Sequence, residues 1–401
     1  MARMREARVN LLIATGHFLS HFYMLCLPPL FIAWQASFHV SYAALGLTVA
    51  LLSAVTAILQ TPVGFLVDRY GARPFLIGGA ALMALSIAAM GLATSYPEIL
   101  ALAALSGIGN SVIHPCDYAI LSGSVSRHRV GRAFSFHTFA GNLGFVAGPP
   151  VTIGLALVFG WRGALGIVGL VGLPLVALIL WQSQILSDHP EQAEQAATPK
   201  LSGRALLMTR AMLLFLVFYV MTSMASTGVQ AWLIIILHKV RGMDVTVASS
   251  VLTAYLVGVS GGVLVGGWLS DRTTRHLRLV VMLTVPAGLL FFAVALLPLP
   301  IALDVASVFA AGLLFGMSRT PRDMMVKTAS PAGQVGVVFG FVSTGLPLGS
   351  AITPVPFGFL IGAGYPAMVL ALVGAVMIGS VAVAAAARGS ARLHPVVLPA
   401  E

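Results

Sequence analysis

Apolar residues run along this chain in blocks too long for the strands or helices of a soluble core. Ile77–Leu92 and Val280–Leu297 are typical: each is almost wholly apolar, and neither alternates with a period of two. A hydrocarbon layer about 30 Å thick takes about 20 apolar residues per helical crossing, whereas a transmembrane β-strand would be about ten residues of alternating character. The blocks therefore predict α-helices. Twelve are delimited: 9–33, 42–67, 74–94, 98–123, 131–158, 161–182, 205–237, 245–270, 277–297, 301–327, 335–362 and 364–387. The longest polar stretch, Ser183–Arg204, holds Asp188, His189, Pro190, Glu191, Glu194 and Lys200. It predicts a linker at 183–204 between an N-terminal six-helix bundle, 1–182, and a C-terminal one, 205–401.

Composition makes lipid the solvent. The 401 residues are 58% hydrophobic and 8% charged, against about 25% charged in soluble chains. The net charge of +10 does not point to nucleic acid, because the basic residues are scattered through short loops. With a cytoplasmic N-terminus, sixteen of the 22 Lys and Arg residues fall in cytoplasmic segments and only Arg162, Lys239 and Arg241 on the other side. That bias places both termini in the cytoplasm of a multi-pass protein, expected in a bacterial inner membrane. Arg3, Arg5 and Arg8 before an apolar stretch resemble a signal peptide. The stretch continues to about Ala33, contains His17 and His21 and has no Ala-x-Ala exit, so it reads as a retained first helix. Cys26 and Cys116 lie inside spans and imply no disulfide framework.

The two halves repeat each other. Gly64-x-x-x-Asp68-Arg69 returns as Gly267-x-x-x-Asp271-Arg272, 203 residues on; His114-Pro115-Cys116-Asp117 returns as Thr320-Pro321-Arg322-Asp323, 206 on. Gly131-x-x-Phe134-x-Phe136 with Gly144 returns as Gly336-x-x-Phe339-x-Phe341 with Gly349, 205 on. Ordered matches at a nearly constant offset mark a duplication, an architecture of secondary transporters.

The segment Gly64-Phe65-Leu66-Val67-Asp68-Arg69-Tyr70-Gly71-Ala72-Arg73 resembles the loop between helices two and three of the major facilitator superfamily, Gly-x-x-x-Asp-Arg/Lys-x-Gly-Arg-Arg/Lys. Ala72 replaces one basic residue, and the second copy, Gly267, Asp271, Arg272 and Arg275, has Thr274 where glycine is expected. The turn Arg129-Val130-Gly131-Arg132 resembles the family's entry to helix five. His114-Pro115, followed by Asp117, also resembles the fosmidomycin-resistance exporters. The resemblance implies alternating access, a central cavity lined by helices one, four, seven and ten, and a gating role for Asp68 against the start of helix eleven. Asp68 ends a helix and can neutralise the N-terminus of a neighbouring helix or pair with Arg73; the other reading of the loop is a cytoplasmic topology signal.

Ionisable groups inside spans cost about 2.5–3.5 kcal/mol on insertion scales and so face partners or cavities. His17 and His21 share a face of helix one; His114, Asp117 and Tyr118 share one of helix four; His137 lies early in helix five. Helices one and four are expected to bring His17, His21, His114 and Asp117 together, as a coupling or binding site, as hydrogen-bonded packing, or as zinc or iron ligands; Tyr118 and His137 are candidates beside them. On helix ten, Arg319, Asp323 and Lys327 form an i, i+4, i+8 stripe, so Asp323 is expected to pair along it. Arg322 is then the cation least accounted for, free to bind an anion or to pair with Asp117. Glycines on helices five, eight and eleven read as close-approach positions.

No Walker motif or catalytic triad is present. The expectation is a transporter and not an enzyme, without cofactor or resident metal, monomeric, whose partners are the lipid bilayer, a small polar or anionic solute and a coupling proton, with export favoured. A metal-ion or siderophore-type chelate permease is the alternative, and a non-transporting receptor a third.

Overall fold

The computed structural model describes residues 2–187, 206–331 and 335–393, and all regular structure among them is helical. Most of the expected linker lies outside the described residues. The segments are α1 (Arg3–Phe38), α2 (Tyr42–Tyr70), α3 (Ala72–Met90) and α4 (Tyr96–Ser124), a long stretch Arg127–Gln182, then α7 (Arg210–Arg241), α8 (Val245–Asp271), α9 (His276–Leu296), α10 (Ile301–Ala329), α11 (Val338–Gly362) and α12 (Pro366–Leu393). The long stretch has 56 residues; straight, it would reach about 84 Å at 1.5 Å per residue. It is broken at Gly160, whose φ of 67° and ψ of 170° are open essentially to glycine alone. The break yields α5 (127–159) and α6 (161–182), and so twelve crossings among the described residues.

Prolines set the other interruptions. Pro28 and Pro29 turn α1 through a 3-10 segment, Pro28–Leu30, before it resumes as Phe31–Phe38. The first helix thus runs past the expected end at 33, to His39 at a φ of 52°. A proline removes a donor and clashes with the carbonyl four residues back. Pro115 accordingly separates Tyr96–Ser111 from Ile113–Ser124 within α4. Pro347 and Pro356 likewise divide α11 after Ser343 and Ile352.

The chain divides into two compact units, Met1–Glu194 with Asp244–Ser249, and Gln195–Met243 with Ser250–Glu401. In the first, glycine lets α5 approach α1, α4 approach α2 and α6 approach α3. A Cβ on Gly144, Gly107 or Gly169 would strike the carbonyl of Phe18, Leu52 or Ala84 respectively. In the second, the matching crossings are α11 on α7, α10 on α8 and α12 on α9. There Gly349, Gly312 and Gly374 press on the carbonyls of Val220, Tyr255 and Gly288. Each of these glycines lies 205 residues after its counterpart. The repeat read in the sequence is therefore a repeat of backbone contacts. Apolar side chains gain nothing from leaving lipid for one another, so close backbone approach is what holds such helices together.

Neighbouring glycines on α8 test this. A Cβ at Gly262 would meet the Leu313 carbonyl, while at Gly261 it would meet nothing within 4 Å. Gly262→Ala is expected to cost about 1–3 kcal/mol, the range for overpacking, and Gly261→Ala to leave the unfolding midpoint unchanged or raised. Thermal unfolding of the two purified variants in detergent checks the pair; equal shifts would contradict the packing argument.

Candidate functional site

In the first unit, α1, α4 and α5 bring one acid and four imidazoles together. The segment of α4 that follows the Pro115 break carries His114, Asp117 and Tyr118. Asp117 is fully buried, as are His17 and His137 to within 3%. His137 Nε2 lies 2.8 Å from Asp117 Oδ2, and His17 Nδ1 lies 3.6 Å from the same oxygen. The His17 ring stacks on His137 at 3.7 Å between centroids and lies 4.2 Å from His21 and 5.0 Å from His114. His21 stacks in turn on Phe145, and the half-exposed Tyr118 sits 5.9 Å from both His114 and His137.

Gly141 makes room for this. A Cβ there would lie 2.5 Å from His17 Nε2 and 2.7 Å from His21 Nδ1. Nδ1 of His17, His21 and His114, and Oδ1 of Asp117, are buried without a hydrogen-bond partner. The arrangement can therefore take up or pass a proton. It also has metal-centre dimensions: the ligand atoms of His17, His21 and His114, and of His17, Asp117 and His137, lie within 4.8 Å of one another. His137 is the closest partner of Asp117, a role its position early in helix five did not reveal.

The second unit holds a different arrangement on α7 and α10. Asp323 pairs with its sequence neighbour, Arg322 Nε to Asp323 Oδ1 at 2.9 Å, and Tyr219 donates to the same oxygen at 2.5 Å. The Arg322 guanidinium lies 4.0 Å above the Tyr219 ring and reaches Thr222 Oγ1 at 3.4 Å. This corrects the expected pairing of Asp323 along the Arg319–Lys327 stripe. The cation–π contact with Tyr219 holds Arg322 against the acid, so Arg322 is the cation accounted for. Among the described residues Arg319 is in no ion pair and has the Phe315 ring at 5.7 Å, and Lys327 is exposed at the helix end. Tyr219 belongs to a polar stripe, Thr222, Ser223, Ser226, Thr227 and Gln230, whose helical spacing was present in the sequence as its signal. Ser350 of α11 lies 3.0 Å from Ser223 and 2.9 Å from Thr227, and Gln230 donates to Ser226 at 3.1 Å.

The loop after α2 turns at Gly71, whose φ of 87° explains the glycine. Asp68 and Arg69 are exposed, and Arg69 lies 5.1 Å from the Tyr70 ring. Arg73 donates to the Leu186 carbonyl at 2.5 Å. Gly64 and Gly267 have open space where a Cβ would stand. In the second copy Asp271 and Arg272 are exposed, Arg272 lies 3.6 Å above the Trp268 ring, and Thr274 has no positive φ. The second loop thus dispenses with the turn that requires glycine.

The model of the Major Facilitator Superfamily matches residues 13–354. The membrane sensor protein UhpC of Salmonella typhimurium is 24% identical over 338 residues, 78% of this chain and 75% of the relative. The fosmidomycin resistance protein of Escherichia coli is 24% identical over 354 residues, 85% and 84% of the two chains. Among solved structures, a bacterial homologue of the human lysosomal transporter Spinster, inward-facing and occupied, aligns over 98% of this chain and 99% of its own with a TM-score of 0.77. At 17% identity that likeness bears on fold alone.

Gly141 is the position whose substitution isolates the imidazole cluster. Gly141→Ala is expected to displace His17 and His21 and to lower stability by about 1–3 kcal/mol. Transport should fall with it. Unfolding midpoints and solute flux of the variant check this, and an unaltered protein on both counts would contradict the geometry.

Proposed function

The chain belongs to the Major Facilitator Superfamily, and on that premise we propose that it is a proton-coupled secondary transporter that moves a small polar or anionic solute by alternating access. It is a membrane transporter and not an enzyme. The observation that carries the coupling is the buried Asp117–His137 contact of 2.8 Å, with three further imidazoles around it. Histidine changes charge between about pH 5 and 8. A proton taken by Asp117 removes the carboxylate that His137 and His17 face, and its release restores that carboxylate. His114 and His21 extend the relay away from the acid. The similarity to the fosmidomycin resistance protein favours export. The basic bias of the loops favours an inner-membrane protein with both termini cytoplasmic. A second reading, a metal-ion or metal-chelate permease, draws on the clustered ligand atoms.

Two substitutions separate the roles. Asp68 and Asp271, at repeated helix ends, are assigned to gating and not to solute binding. Asp68→Asn should slow transport while equilibrium affinity stays within about tenfold, or about 1.4 kcal/mol; complete loss of binding in a folded variant would count against this. Asp117→Asn should abolish accumulation driven by an imposed pH gradient in proteoliposomes while solute counterflow persists. Accumulation that survives the change removes Asp117 from coupling. Flux that depends on added zinc or iron instead of on pH favours the metal reading.

A further inference from the structure

Among its described residues the second unit carries a half-buried cation that is in no ion pair. Among its described residues there are three acids. Asp271 is exposed at the end of α8. Asp304 is fully buried at the far end of α10 and accepts from Arg241 at 2.9 Å, while that guanidinium also donates to the carbonyl of Val294. Asp323 is occupied by Arg322 and Tyr219. Arg319 is left half-buried within α10 in no ion pair: it feels Asp323, one turn on, only at a distance, and has a weak ring contact to Phe315.

A buried hydroxyl stands beside this cation. Tyr255 of α8 is fully buried; its hydroxyl has Ser226 of α7 within reach but not in full hydrogen-bond geometry, and it lies close enough to Arg319 for the two to act on each other electrostatically. The place of Tyr255 is fixed by the glycine contact described above: Gly312 of α10 packs on its backbone, and Phe291 of α9 lies 6.0 Å from its ring. Ser226, on the polar stripe of α7, interacts with Tyr255 and takes a hydrogen bond from Gln230. A half-buried guanidinium outside any ion pair, a buried hydroxyl beside it and a polar helix face together suit an oxyanion. Arginine suits that role because its planar fork matches carboxylate and phosphonate oxygens.

We propose that Arg319 and Tyr255 form the seat for an oxyanion of the transported solute, the carboxylate or phosphonate of a small organic acid. This deepens the transport reading and rests on it. Arg319 supplies the charge and the paired donors. Tyr255 supplies a third donor from α8, and the Ser226–Gln230 pair offers polar contacts to the rest of the solute. Arg322 keeps its place against Asp323 and Tyr219, as a fixed part of the wall. The bland rival is that Arg319 swings to share Asp323 along the helix and binds nothing.

The test uses the full chain in lipid nanodiscs with three probes, radiolabelled lactate and methylphosphonate as oxyanions and lactamide as the uncharged match. Wild-type protein is expected to bind at least one acid saturably and to ignore lactamide. Arg319→Gln should weaken the acid at least tenfold, Arg319→Lys less, and Tyr255→Phe by a few-fold, each with an unfolding midpoint showing a folded protein. If Arg319→Gln does not fold, the Arg319→Lys and Tyr255→Phe comparison carries the test. Unchanged affinity in these variants, equal binding of lactamide, or no binding of either acid to wild type overturns the seat. Counterflow of the bound acid in proteoliposomes keeps the two failures apart. Binding lost in Arg319→Gln with no exchange by wild type sustains the seat and sinks transport. Exchange with affinity indifferent to Arg319 does the reverse.

Discussion

Every feature of this protein follows from having lipid as its solvent. Hydrocarbon neither hydrogen-bonds a stray polar atom nor drives apolar faces together. Helices must therefore meet through their backbones, and each charged group must find its complement inside its own bundle. Glycine meets the first demand at the six crossings from Gly107 to Gly374. The second demand explains why the ionisable groups occur in knots and not singly: Asp117 among histidines, Asp323 between Arg322 and Tyr219, Asp304 against Arg241. Where the demand is not met by an ion pair or hydrogen bond, at Arg319 and at the unpartnered nitrogens of the histidines, a ligand, a proton or water in a cavity can offset the cost.

The duplication sets one arrangement in two different surroundings. Asp117 and Asp323 are repeat equivalents, 206 residues apart beside matched prolines. Their partners on the first helix of each unit are equivalent as well. His17 on α1 and Tyr219 on α7 are 202 residues apart, as are Phe18 and Val220, whose carbonyls face the matched glycines Gly144 and Gly349. In both units a ring from the first helix thus reaches a carboxylate on the fourth, at 3.6 Å from His17 and 2.5 Å from Tyr219. The geometry the two halves share is the ring-to-acid contact. What differs is what else surrounds the acid.

Much of this was legible in the sequence because it depends on local chemistry. Span length, the repeat, the His17/His21 face and the Gly71 turn follow from composition, spacing and φ restrictions. Proline placed the breaks in α4 and α11 for the same reason, although only the structure showed them. The pairings were not legible. Arg322 and Asp323 lie about 100° apart on an ideal helix, as 3.6 residues per turn requires, and the stripe rule pointed Asp323 elsewhere. The tyrosine that overrides the rule comes from 104 residues away. In helices that are apolar around most of their circumference, periodicity does not say which face turns inward. The contact of His137 with Asp117 and the role of Tyr219 were therefore hidden for one cause: the rotation of α5 and α7 about their axes is set by packing.

The difference between the two acids assigns them different work on the proposed reading. Asp117 is answered only by imidazoles, groups that gain and lose protons in the physiological range. Its neighbourhood can change charge as the pH on the side it faces changes. Asp323 is answered by a guanidinium, which does not deprotonate in proteins, so its knot keeps the same charge on either side of the membrane. A coupling device needs the first property and a binding wall needs the second. The duplicated halves of this chain hold the two separately. A tyrosine at the place of His17 and an arginine at the place of Cys116 leave Asp323 with partners that keep their charge, a fixed scaffold beside which, on this reading, Arg319 can wait for a solute.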